Sequence, residues 1–207
     1  MKASDSTRAW LAKLLILSAV AIVAVLMIGW YTCFRAFIVS SGSMENTLVT
    51  GDRILVDRIS IFLGAPVHRG DIVAYRWPLG RNMRYVHRVV GLPGDRLKIV
   101  NKQLYRNSAE VTEPYAQHTS TSINSYRDNF PNVPNFPLRE PAMDMLENHV
   151  VNGEVVVPAD HYFVMGDNRD DAADSRYFGF IQRSDIVGRP IVIYGSRDPK
   201  RAWKTPR

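Results

Sequence analysis

The chain has 207 residues but only one cysteine, Cys33, so it can build neither an internal disulfide framework nor a cysteine-rich metal site. Lysine is also scarce. Of the 26 basic residues only Lys2, Lys13, Lys98, Lys102, Lys200 and Lys204 are lysines, and none falls between residues 14 and 97. Basic residues outnumber the 20 acidic ones, yet they are scattered. No zinc-finger spacing or aromatic RNA-binding pattern accompanies them, which argues against a nucleic-acid partner and for an anionic lipid surface. Beyond the N-terminal segment there is no sustained helical periodicity. That absence points to a mostly β protein.

One long uncharged run is present, LLILSAVAIVAVLMIGW at 14–30. It predicts a single transmembrane anchor over 14–32, since crossing a bilayer takes about 20 apolar residues. Trp10, Trp30 and Tyr31 flank it as interfacial aromatics. Lys2, Arg8 and Lys13 precede it against one anion, Asp5, so the 1–13 segment is expected in the cytoplasm and the rest outside. A cleaved signal peptide fits less well, because the nearest cleavage position would put bulky Phe34 at minus three. A lipoprotein reading of Cys33 fails on Tyr31 and Thr32, which are not small. Cys33 is then an apolar filler.

After the anchor, short runs rich in valine and isoleucine read as strands: DRILVDR (52–58), GDIVAYRW (70–77), MRYVHRVVG (83–91) and RLKIVNKQLY (96–105). EVVVP (154–158), YFVMG (162–166) and DIVGRPIVIYG (185–195) continue the theme. The expected organisation is a catalytic β-domain in two parts, 33–106 and 151–195. Between them, 107–150 forms a proline-rich β/loop insertion or small subdomain, poorly suited to a central strand. A loosely ordered basic tail, 196–207, completes the chain.

Three islands carry candidate chemistry. SSGSMENTL (40–48) could be a flexible linker, but Met44, Leu48 and the following GDRILV run straight into a strand. A serine held at the mouth of a sheet is a candidate nucleophile if a base is within reach. In YVHRVVGLPGD (85–95), alternation puts His87 on one strand face with Tyr85 and Val89, and Val86, Arg88 and Val90 on the other. A lone histidine is ordinarily a satisfied core or surface imidazole, yet this one projects among apolar neighbours. GDNRDDAADSRYFG (166–179) concentrates carboxylates with Arg169 and Arg176. It lacks the calcium-loop spacing, and its arginines would oppose a cation. A braced loop presenting a carboxylate fits better, with no metal and no cofactor.

In this order, SGSMENTL, GDRILVDR, RGDIVAYRWP, YVHRVVGLPGD and GDNRDDAADSRYFG resemble the successive boxes of the type I signal peptidase (leader peptidase) family, from residue 37 to about 190. The resemblance implies a signal-peptidase-like β-fold and a serine endopeptidase that removes signal peptides after small residues, of the Ala-x-Ala type. It implies Ser43 as nucleophile and Ser41 beside it at the oxyanion hole. Val39, Met44, Leu48, Tyr85 and Val86 would line pockets for small side chains, while Asp167 and Arg169 support the site. Its implied partners are signal peptides of exported preproteins, the lipid bilayer and the nearby export machinery, at a bacterial plasma membrane with the catalytic domain on the outer face.

The departures from the family are chemical. Bacterial members carry their general-base lysine where His87 stands, and a serine that orients it where Ala172 stands. Histidine here is similar instead to the archaeal and endoplasmic-reticulum branch. Ser40 and Asn46 replace usual prolines. A lysine base must be held neutral against a free pKa near 10.4, at roughly 4.6 kcal/mol at pH 7. Histidine is largely neutral already, but needs a partner to fix its tautomer. The expected arrangement is Ser43–His87–Asp174, with Asp167 the second choice as partner, and activity falling below a pKa near 6–7. Two other readings remain open: a catalytically silent signal-peptide-binding homologue, and a processing peptidase dedicated to one substrate.

Overall fold

The computed structural model describes residues 5–80 and 83–207; Lys2, among the expected flanking cations, lies outside them. The uncharged run folds as helix α1 (Asp5–Cys33), longer at both ends than 14–32. Its segment Trp10–Cys33 has 24 residues and holds an 18-residue window with a mean hydropathy of 2.8. At 1.5 Å per residue that is about 36 Å, enough to cross a hydrocarbon core of about 30 Å. Its side chains are exposed around the whole circumference, from Leu15 to Val25 and Met27, as a lipid-facing helix requires.

The rest of the chain is mostly β, as expected. In chain order come β1 (Phe34–Ile38), β2 (Arg53–Asp57), the short helix α2 (Ile59–Phe62), β3 (Ile72–Arg76) and β4 (Arg84–Gly91). Then follow β5 (Arg96–Val100), β6 (Gln103–Arg106), β7 (Ala109–Glu110), α3 (Glu140–Asn148), β8 (Val150–Val151) and β9 (Glu154–Val156). β10 (His161–Met165), α4 (Ser175–Phe178), β11 (Ile181–Gln182) and β12 (Ile186–Gly195) end the succession. A seven-stranded sheet has the order β1-β2-β12-β3-β4-β10-β11, and a five-stranded one the order β7-β6-β5-β9-β8. Every strand pairing in both is antiparallel.

The GLPGD turn is where the chain passes from one sheet to the other. Gly94 adopts φ +84°, which suits a residue without Cβ. The Asp95 carboxylate accepts from the Leu92 amide, the Arg69 guanidinium and Asn107 Nδ2. Burial pushes the Asp95 pKa up, but the Arg69 ion pair and these hydrogen bonds hold it below its ordinary value. The second sheet therefore begins at Arg96, so the segment 107–150 shares its sheet with strands on either side of it.

Three apolar clusters fill the interior. One joins the second sheet to β10 through Leu97, Val155, Phe163 and Met165. Another lies around Val73, Tyr75, Val89 and Phe178. The third, with Met44, Leu48, Ile54, Val56 and Ala74, underlies the 40–48 island. Both faces of the C-terminal half of β4 are covered, since His87, Arg88, Val89 and Val90 are all buried. The simple alternation therefore assigns the faces but not the burial of Arg88.

Four further features depart from the sequence expectation. RLKIVNKQLY is a hairpin rather than one strand, turning at Asn101 and Lys102, both at positive φ. β1 pairs directly with β2 although FRAFI showed no strand punctuation. α3 is helical with Pro141 in its first turn and only Ala142 and Met145 buried, too short an apolar stripe to show as periodicity. The tail is docked rather than loose: the Trp203 amide donates to Ile193 O, and Arg201 pairs with the buried Asp52 at 2.8 Å. Ser196 Oγ and the Val49 amide also reach that carboxylate, and together with Arg201 they lower its pKa against the upward push of burial. Arg201→Ala is expected to cost about 1–2 kcal/mol, because it weakens the compensation of a buried carboxylate while two hydrogen bonds remain. Chemical denaturation of the detergent-solubilised variant checks this.

Candidate active site

Ser43 sits in the turn that follows β1, and His87 sits midway along β4. The turn is closed by hydrogen bonds from Glu45 N to Gly42 O and from Leu48 N to Met44 O. Asn46 takes φ +81° within it, a backbone region that asparagine tolerates and that the ring of proline forbids. The departure from a usual proline at this position is thus matched by the local backbone.

The 166–179 loop fixes the turn from behind. The Asn168 amide donates to Ser43 O at 3.0 Å, and Asn168 Nδ2 donates to Gly42 O at 3.1 Å. Gly166 makes this approach possible, since a Cβ there would lie 2.4 Å from Ser43 O and 2.4 Å from the Ala172 Cβ. Asp167 takes a bidentate pair from Arg88 at 2.9 and 2.6 Å and a hydrogen bond from Thr47 Oγ1. Arg169 is paired with Glu113 at 2.6 and 2.7 Å and donates to Gly166 O. Asp167, Asp170 and Asp174 of this island are thus braces, matched by Arg88, Arg127 and Arg176.

The polar row at the centre is short. Ser43 Oγ lies 3.2 Å from His87 Nε2 and 3.1 Å from Ser41 Oγ. His87 is fully buried, and Ser43 is 8% exposed. Burial lowers the His87 pKa to about 4; the nearby Asp174 carboxylate opposes this, and Arg176 reinforces it. The imidazole is therefore neutral at pH 7 and can accept a proton.

The expected Asp174 does not supply the hydrogen bond at the other ring nitrogen. Asp174 caps α4 and is taken by Arg176 through 2.8 and 2.7 Å contacts, with the Gly166 amide donating at 3.1 Å. The second choice, Asp167, is likewise engaged by Arg88. Instead, His87 Nδ1 lies 2.7 Å from the Tyr75 hydroxyl. Asp174 reaches His87 as a nearby charge only. Sequence reading missed Tyr75 and Glu113. For Tyr75 a signal existed: GDIVAYRW and MRYVHRVV pair as a hairpin, which makes Tyr75 and His87 same-face diagonal neighbours.

In front of Ser43 lies a cleft of about 160 Å³. Val39, Met44, Leu48, Tyr85 and Val86, the residues expected to line small-side-chain pockets, all lie on its wall, joined by Ile54 and Ala74. So do Ser41 and Ser43.

A family model described as signal peptidase, peptidase S26, matches residues 10–195. The chain belongs to this family. Signal peptidase I of Pseudomonas aeruginosa is 33% identical over 190 residues, covering 79% of this chain and 66% of that relative. Signal peptidase I U of Bacillus subtilis is 33% identical over 186 residues, covering 87% and 86%. A solved signal peptidase I from Enterococcus faecalis aligns at 29% identity with a TM-score of 0.41, over 60% of this chain and 96% of that one. The chain thus spans slightly less than two thirds of the length of the Pseudomonas peptidase.

Two measurements follow from this geometry. Gly166→Ala is expected to separate the 166–168 backbone from Ser43 and lower the melting temperature, as read by thermal unfolding beside wild type. The second concerns pH. The unfolded chain holds a proton on His87 below about 6.5, whereas the folded site refuses it until about 4. Stability therefore rises with pH across that window, by roughly 3 kcal/mol, and is lost as pH falls through it. His87→Gln is expected to flatten that part of the stability–pH curve.

Proposed function

We propose that this family member is a membrane-anchored serine endopeptidase that cleaves N-terminal signal peptides from exported preproteins after small residues. The observation that carries the reading is Ser43 Oγ at 3.2 Å from a buried, neutral His87 Nε2, at the end of a small apolar cleft. Ser43 attacks the scissile carbonyl while His87 takes its proton, forming an acyl-enzyme. The protonated His87 then returns that proton to the leaving amine. Ser41 and the Ser43 amide hold the oxyanion, a contact of the type worth about 3–4 kcal/mol. Asp174 acts as a fixed negative charge that favours the transient imidazolium.

The substrate enters as an extended strand. β3 pairs with β4 over residues 84–88, while β10 pairs with it only from Arg88 onward. The Arg84–Val86 edge therefore faces the cleft opposite residues 37–41, where a peptide backbone can add to the sheet. Side chains at the minus-one and minus-three positions would enter the Val39, Met44, Leu48, Tyr85 and Val86 wall. α1 holds this cleft at the bilayer, with the N-terminus cytoplasmic and the catalytic domain on the outer face of the plasma membrane, beside the export machinery.

The test is cleavage of a preprotein with an Ala-x-Ala site by the full chain in detergent. Wild type is expected to cleave, and Ser43→Ala and His87→Ala to lose at least about a thousandfold in kcat/KM. Cleavage that survives Ser43→Ala overturns the reading; binding without cleavage in wild type supports a silent homologue. The acidic limb of kcat/KM is expected near pH 4, below the 6–7 of a solvent-exposed histidine, since this limb reports the free-enzyme pKa of the base. A limb at 6–7 would show that His87 is far better solvated than its burial implies.

A further inference from the structure

We propose that Tyr75 is a positioning residue that holds His87 in the tautomer carrying its proton on Nε2, so that the resting site is latched against proton abstraction from Ser43. The inference rests on the Ser43–His87 reading above. It starts from hydrogen-bond accounting. The Tyr75 hydroxyl is fully buried, and among the described residues His87 Nδ1, at 2.7 Å, is its hydrogen-bond partner. The ring is clamped by Tyr85 and Phe178 at centroid distances of 6.3 and 6.2 Å, so the hydroxyl has little freedom to seek another acceptor.

A neutral imidazole offers two arrangements. In the first, Tyr75 O–H donates to Nδ1, and Nε2–H donates to Ser43 Oγ at 3.2 Å, whose own proton turns to Ser41 Oγ at 3.1 Å. Every proton is then matched within the row except that of Ser41, which is exposed and donates outward. In the second, Nδ1–H donates to the Tyr75 oxygen and the Nε2 lone pair faces Ser43. Among the described residues the buried phenolic proton then has no acceptor. Leaving a buried hydroxyl proton unmatched is expected to favour the first arrangement by about fivefold or more.

Only the second arrangement can take the serine proton. There, Ser43 O–H passes its proton to Nε2, Ser43 Oγ bonds to the scissile carbon, and the imidazolium keeps Nδ1–H against Tyr75. Nε2–H then leaves with the departing amine, and His87 is neutral again. Turnover is thus scaled down by the fraction of protein in the minor tautomer. A carboxylate partner would accept from Nδ1–H and select the productive tautomer outright. Asp174 does not, because Arg176 holds both of its oxygens.

The ¹⁵N spectrum of histidine-labelled full-length protein in detergent micelles at pH 7 decides the matter, with His87 assigned by its loss in His87→Gln. The wild-type signal is expected to show Nδ1 unprotonated and Nε2 protonated, and Tyr75→Phe to move the mixture towards comparable amounts of both tautomers. A wild-type His87 found mainly with the proton on Nδ1 overturns the proposal, with or without a folded variant. So does a Tyr75→Phe spectrum with the wild-type distribution. The Ser43→Ala cleavage assay separately tests the peptidase reading, and its failure leaves the tautomer measurement valid.

Discussion

The Asn168 amide donates to the Ser43 carbonyl at 3.0 Å while Gly166 passes so close that no Cβ could stand between them. This backbone contact joins two segments more than 120 residues apart in sequence, and the other polar contacts of the site are arranged around it. It places the serine turn against β4 and so sets the reach of Ser43 to His87. It also explains the density of ion pairs behind the site. Strand-like pairing reaches this loop at the isolated bridge of Asn168 with Gln117, and Arg88–Asp167, Arg169–Glu113 and Arg176–Asp174 hold it as well.

Those pairs are buried, and a buried pair is weak evidence for stability as such. Their geometry suggests a different service. Each arginine engages a carboxylate and also a backbone carbonyl or an aromatic face: Arg88 bonds Gly70 O and stacks on Tyr115, Arg169 bonds Gly166 O, and Arg176 bonds Arg169 O. Losing one therefore loosens a loop as well as a charge pair. With Asp167 and Asp174 held in this way, the imidazole meets the phenol on the neighbouring strand.

Much of this was legible in the sequence, for definite physical reasons. The anchor is visible because a lipid-facing helix must be apolar all round, and β2, β3, β4, β10 and β12 because valine, isoleucine and punctuating glycines report pleated, half-buried runs. Ser43 and His87 were legible as an oddity each, and as a pair through the resemblance. What could not be read was pairing at a distance. Asp174 in ADSR is a carboxylate in the right island, but its own helix-cap geometry hands it to Arg176, two residues away. Tyr75 looked like one more aromatic in a core strand until the β3–β4 register put it beside His87. α3 was hidden by its two-residue apolar stripe, and the tail by a basic composition that resembles disorder until Arg201 is seen paired with the buried Asp52.

A histidine standing where the resemblance implies a lysine changes what burial does. For an ammonium base, an apolar site is useful because it removes the roughly 4.6 kcal/mol preference for the charged form at pH 7. An imidazole is already neutral there, so the same burial acts only on base strength, bringing His87 down to about 4. Asp174 pulls in the opposite direction and Arg176 cancels part of that pull. The His87 pKa is therefore set first by burial, with Asp174 and Arg176 adjusting it in opposite directions. In the proposed arrangement the direction of its proton is set separately, by the Tyr75 hydroxyl 2.7 Å from Nδ1. The buried site thus leaves His87 neutral and weakly basic. On the proposed Ser43–His87 reading with the proposed tautomer, proton transfer from Ser43 works against both the base strength and the tautomer preference.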